Sequence, residues 1–466
     1  MRVHAAELRR RPGAGRRDTQ AMLIVGSALA ILFAMVFLGL AMSSILLGAA
    51  LSAAAAATVL LPEVGLYALI LNDIVGLAHL TDLPRLGPLS VPIAFELILA
   101  VAFAFQVALG RKRLFLGSLQ HLLFAALTFW IIVSLLSSGH VSDENLDTIR
   151  NLYLVRLLLF FLVTNIVSGE KGMKRLIAVL TLANFGLVVA SVSGRLGLFG
   201  QEKVVVSEKM LRTTGIVHNP NTLAFELTTM LILAVFAFFL VKGRWLKAGL
   251  LLLAFADGAV ILSTLSRSGF ISLAAVLVFM FFKLTRSARV IAIVMMIAVL
   301  GGLAAQTNLV KRFERIDEIK DVDRFRIAVI GINAAKDNPL FGVGMGNFLR
   351  DFARYDTVNF RRPLPTHDMY LDLSAQMGLP ALLLYLAILW ITWRRLRRME
   401  LRLKEAGEER SFLYIFNLAV QCFLVNLCVF GFSGDVEFEY SVFIMLGLGI
   451  LLHHSFERTR AAVTAA

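Results

Sequence analysis

The chain has 466 residues and a formal net charge of +14, with 58% hydrophobic and only 17% charged residues. That balance, with a mean hydropathy of +0.78, excludes an ordinary soluble enzyme. The apolar runs are helix-length and rich in Leu, Ala and Phe, which also excludes the roughly ten-residue alternation of an outer-membrane barrel. The expected fold is all-α, a polytopic transmembrane helical bundle.

Residues 1–20 carry Arg9, Arg10, Arg11, Arg16 and Arg17 ahead of the first apolar run. The run continues too far for a cleaved signal, so 1–20 reads as a basic cytoplasmic tail. Apolar stretches then recur through 21–305, giving transmembrane helices 1–11, and again through 379–454, with a cytoplasmic tail at 455–466. The total is about 12 to 14 spans, most near the ~20 residues a bilayer core requires. Span 64–80 is short and holds Asn72 and Asp73, which allows a re-entrant segment.

The short basic clusters test this map. Arg111-Lys112-Arg113, Lys171 with Lys174 and Arg175, Lys242 with Arg244 and Lys247, Lys283 with Arg286 and Arg289, and the Arg394–Arg398 run all fall on one side. That side is the cytoplasm, with both termini, so the excess charge sets orientation and does not signal nucleic-acid binding. Cys422 and Cys428 share one apolar run and read as small core residues.

The opposite, outer loops include 194–220, a tight turn at Ser266-Arg267-Ser268-Gly269, Gly431 to Tyr440, and one long segment, 306–378, the large periplasmic loop. In the first, Asn219 is placed to cap a helix with Pro220 at its first position. Arg212 before it has a bland reading as an arginine solvated at headgroups. Arg267 is held close to the bundle on the face that should avoid cations, and so calls for an anionic partner.

Within 306–378, Phe325, Ala328, Val329, Ile332 and Ala335 predict an amphipathic surface helix over 323–336. Asn338-Pro339 stops it, and Phe341-Gly342-Val343-Gly344-Met345-Gly346-Asn347 follows. Residue 347 is Asn and no strand precedes, so this is not a dinucleotide-binding loop. Gly342, Gly344 and Gly346 instead read as a turn joining two helices, with amides that can line an anion site. Thr366 is placed as a helix cap, with His367 in the first turn above an apolar stripe of Met369, Leu373 and Met377. A helix N-terminus disfavours an imidazolium, so His367 is positioned to stay neutral and accept a proton. No outer His or carboxylate pair has metal-ligand spacing beyond His367-Asp368, whose side chains point to different faces of a helix.

The set Arg212…Asn219-Pro220-Asn221, Ser266-Arg267-Ser268-Gly269, Arg324, Asn338 to Phe348, and His367…Tyr370-Leu371…Gly378-Leu379 resembles the O-antigen ligase and polysaccharide polymerase family. The resemblance implies a metal-independent inverting glycosyltransferase of the bacterial inner membrane, without a cofactor. Its donor would be an undecaprenyl diphosphate-linked glycan and its acceptor a glycan or a lipid A-core-like molecule, joined at the periplasmic face. It implies that Arg212, Arg267 and Arg324 bind the diphosphate end of the donor and that His367 is the essential histidine. Asp368 departs from the family, where Asn is common, and puts an extra negative charge beside the base. A repeat-unit polymerase of the same family and a lipid-linked glycan flippase or exporter stay open as alternatives. A transporter, however, would place its charges near the midplane.

Overall fold

The computed structural model describes residues 58, 61–75, 91–195, 204–207, 210–213, 219–284, 297, 318–360 and 362–464. The basic tail 1–20 and the expected span at 21–41 lie outside the described residues, as does nearly all of 43–61 and of 288–305. The chain divides into two compact units, 1–113 and 114–466.

In the first unit, helices α1 (Pro62–Val75) and α2 (Val91–Ala108) pack together. At 14 residues α1 extends about 21 Å, short of the ~30 Å of a bilayer core.

The second unit runs α3 (Leu119–Ser137), α4 (Asp143–Thr148), a π-helical turn (Ile149–Leu154), α5 (Val155–Ile166) and α6 (Gly169–Arg195). A small antiparallel hairpin follows, β1 (Val204–Ser207) and β2 (Met210–Thr213), within what the sequence presents as loop. Then come α7 (Pro220–Leu240), α8 (Arg244–Ser263) and α9 (Arg267–Lys283). Helix α10 (Glu318–Asp337) and the short α11 (Phe348–Tyr355) precede the long α12 (Met369–Glu405), α13 (Phe412–Phe430) and α14 (Tyr440–Thr464).

Eight helical segments among the described residues are long and apolar enough to cross a membrane. Their outward faces agree with that: Leu122, Phe129 and Leu136 form one stripe on α3, each 65% exposed. Such a stripe is unfavourable in water and suits a hydrocarbon solvent. By contrast α13 is buried nearly all round and packs against α7, α9, α12 and α14, which makes it the central post. The segment expected as a tail from residue 455 continues α14 in helix to Thr464.

Helix α10 forms as expected, but it buries a different face. Ile327, Ile330, Gly331 and Ala334 pack inward toward α12, while Phe325 is 69% exposed and Ile332 38%. The small residues Gly331 and Ala334 permit that close approach, which an apolar-periodicity reading weighted toward large side chains overlooks. Helix α12 breaks at Gly378 (φ 82°, ψ 170°), so residues 369–377 form a short arm before the long span.

Candidate functional site

His367 does not lie in the first turn of α12. Asp368 is the N-cap, its Oδ1 accepting the amides of Tyr370 and Leu371 at 2.9 Å each. An aspartate caps at least as well as threonine and adds a negative charge where the helix dipole favours one. Thr366 is instead buried, its hydroxyl 3.3 Å from both the Asp368 carbonyl and Asp372 Oδ1. His367, held between them, takes a left-handed φ of 53°, uncommon for a residue with a Cβ. The Asp368 carboxylate is turned onto the helix amides, a role that Asn would fill equally well. Burial raises its pKa, the two amides lower it, and the charge of Asp435 raises it again.

The ring of His367 meets a residue that the motifs did not single out. Its Nδ1 is 3.4 Å from Asp435 Oδ2, with the two side chains 39% and 29% exposed. Asp435 stands in the loop between α13 and α14, beside Glu437 and Glu439. Three acids in so short an outer segment were the available signal.

Beneath lies a second layer. Asp372, in the short arm of α12, accepts from Gln376 Nε2 at 2.7 Å and is hydrogen-bonded to the Glu437 carboxyl. Tyr385 donates to the Glu437 carbonyl at 3.1 Å. Burial pushes the Glu437 carboxyl well above the ordinary range, and the charges of Asp372 and Asp435 push it further. Asp435 Oδ1 and Glu437 Oε2 are buried without a hydrogen-bond partner.

The glycine segment forms the expected turn. Val343 and Gly344 donate to the carbonyls of Ala375 and Gln376 at 2.9 and 2.8 Å, fastening the turn along the short arm of α12. A Cβ on Gly342 would lie 2.4 Å from the Gln376 carbonyl carbon, and one on Gly378 would lie 1.9 Å from the Leu340 oxygen. The segment does not offer the expected anion site: the amides of Gly342, Val343, Gly344, Gly346 and Asn347 are all spent on protein oxygens.

Arg267 is not in the tight turn. It is the first residue of α9, half-buried, and Ser266 is the N-cap, accepting from the Gly269 amide at 3.2 Å. Gly269 belongs to the helix because α9 crosses α7 there; a Cβ on it would lie 2.4 Å from that of Ala224. Ser266 donates to Asn221 Oδ1 at 2.9 Å, and Asn219 caps α7 by accepting the Asn221 amide, as expected. One turn further into α7, Glu226 accepts from Ser441 at the start of α14. Arg267, the starts of α7 and α14, and the loop bearing Asp435 against His367 therefore share one end of the bundle.

Arg324 is exposed on α10, seven residues before Gly331, which packs against Thr366. Arg212 pairs with Val205 in the hairpin, and its side chain lies outside the described residues. Arg156 is a cation the motifs missed. It follows the π-helical turn, a feature frequent at functional sites, and its guanidinium sits 4.4 Å over the Tyr440 ring. Glu439, raised by burial, is drawn back down by the Arg156 charge. Among the described residues, no group of three or more His, Cys, Asp or Glu is arranged to hold a metal.

No match to the chain is found among curated proteins. Residues 249–386, which take in Arg267, Arg324, the glycine turn, His367 and Asp368, match the family model described as O-Antigen ligase. Arg212, Asn219 and Asn221 lie before the matched segment. The chain is thus a multi-pass membrane protein in which residues 249–386 are similar to O-antigen ligases, and that similarity supports a ligase-like glycosyltransferase activity in general.

Proposed function

We propose that this chain transfers a glycan from an undecaprenyl diphosphate carrier to an acceptor hydroxyl, with inversion, at the periplasmic face of the bacterial inner membrane. Residues 306–378 form the periplasmic catalytic loop, and both termini are cytoplasmic. The observation that carries the reading is the His367–Asp435 pair at the end of the bundle that also holds Arg267.

Asp435 accepts from Nδ1–H, which fixes the ring and leaves Nε2 as the proton acceptor. The acceptor oxygen attacks the anomeric carbon as Nε2 takes its proton, and the bond from that carbon to the diphosphate breaks. Negative charge then grows on the leaving diphosphate. Arg267, Arg212 and Arg324 are the cations that would stabilise it, since a guanidinium can meet phosphate oxygens bidentately. Outside the cytoplasm nucleotide sugars are not supplied, which favours a lipid-borne donor.

His367→Ala should lower transfer by about 10²–10⁴-fold, the usual share of a general base, at unchanged membrane abundance. Asp435→Asn should lower it less, since the ring is still tethered. Normal transfer by His367→Ala would remove the base role. Carrier-linked glycan in the deletion strain separates the family's two activities: full-length chains left on the carrier indicate a ligase, and single repeat units a polymerase. Material left facing the cytoplasm would support transport instead.

A further inference from the structure

We propose that Asp372 and Glu437 form a positioning pair that holds one proton between them, so that a single negative charge lies under the Asp435–His367 contact. The proposal rests on the reading of His367 as the base.

The geometry assigns the proton. A hydrogen bond between two carboxyl groups requires that one of them be protonated, and the Asp372 and Glu437 carboxyls are so bonded. Asp372 is surrounded by donors, the Thr366 hydroxyl at Oδ1 and the Gln376 amide at Oδ2 as well as Glu437. That is the setting of a carboxylate. Glu437 is only 2% exposed, and its Oε2 has no donor at all. Such an orphan oxygen is costly on an ion and much cheaper as the carbonyl of a neutral acid. Glu437 therefore donates and Asp372 accepts.

The other groups facing the pair are Asp435 from the same loop and Tyr385 from α12, which donates to the Glu437 carbonyl; Asp368 acts on Asp435, and the Tyr370 hydroxyl donates to the Cys428 carbonyl on α13. Were Glu437 ionised as well, it would join Asp372 and Asp435 in a group of three carboxylates under one imidazole. Like charges so placed favour imidazolium and would remove the base. The shared proton prevents this. Gln376 extends the device, since its Oε1 accepts from the Gly346 amide at 2.7 Å while its Nε2 holds Asp372. The glycine turn thus fixes the pair in register with the histidine.

Glu437→Gln preserves a neutral donor toward Asp372, so it should lower transfer much less than Glu437→Ala does and keep the acid limb of the pH–rate profile in place. Glu437→Ala removes the donor and should lower transfer about tenfold or more. The double change Asp372→Asn with Glu437→Gln removes the remaining charge and should move the acid limb about one pH unit lower, the scale of one nearby charge. Infrared difference spectra of the purified full chain, unaltered minus Glu437→Gln, should show loss of a protonated carboxylic acid C=O band at neutral pH. Loss of a carboxylate band, or a Glu437→Gln protein as inactive as Glu437→Ala, would overturn the shared proton. An active His367→Ala protein would instead overturn the base reading and the positioning role built on it, while the infrared band still reports on the proton alone.

Discussion

The two ends of the bundle treat buried charge in opposite ways. Far from His367, Glu400 of α12 is saturated: Lys283 reaches both its oxygens at 2.9 and 2.7 Å, Arg397 one at 2.6 Å, and Gln421 the other at 3.0 Å. Nearby, Arg395 donates to Ser118 at 2.9 Å and also to Gln120. At the His367 end, acids face other acids and a half-exposed histidine, and Asp435, Glu437 and Glu226 each keep a buried oxygen without a partner. Where both oxygens of an acid are paired, as at Glu400, the charge is closed off. Incomplete pairing leaves a place where charge can be received, and it is tolerated where function requires it.

Changes at the two ends should therefore separate stability from activity. The largest effect is expected from Gly378→Ala, since the new methyl would collide with the Leu340 carbonyl at a backbone φ of 82°. Detergent-extracted protein should fall sharply in abundance and elute as aggregate. A well-folded variant would show that the arm carrying His367 is not built on that kink.

Lys283→Met comes next. Glu400 keeps Arg397 and Gln421, so losing the charged hydrogen bonds from Lys283 should cost about 1.5–3 kcal/mol, and thermal unfolding should come earlier while turnover per folded molecule is kept. Lost turnover at unchanged stability would mean the far end takes part in the reaction. The smallest effect is expected from the cap. Asp368→Ala should cost about 1 kcal/mol of helix start and loosen His367, whereas Asp368→Asn should restore both. Failure of the Asn variant would show that the charge at 368, and not the cap, is what the site uses.

What could be read from sequence was whatever depends on local chemistry. The Asn219 cap with Pro220, the glycine turn and a boundary at residue 378 follow from composition and short-range pattern, and all recur in the fold, the boundary as a break within one helix. The acids around His367 depend on contacts between segments far apart in the chain. Asp435 and Glu437 reach the site only because α13 and α12 lie side by side, with Gly431 against Met369. A cap assigned to Thr366 over Asp368, or a helix start placed beyond Arg267, shifts a boundary by one or two residues, yet that is enough to turn a side chain to another face.

Helix α12 begins at the Asp368 cap and, after the break at Gly378, runs unbroken through the basic cluster at Arg394, Arg395, Arg397 and Arg398. Arginines of that kind settle at the headgroups, so the helix works as a ruler whose zero mark is one leaflet and whose far mark is the histidine. The depth at which His367 would meet the proposed lipid-borne donor is then a property of the bilayer as much as of the protein. Membrane thickness becomes a variable of the reaction, which the tilt of one helix must absorb.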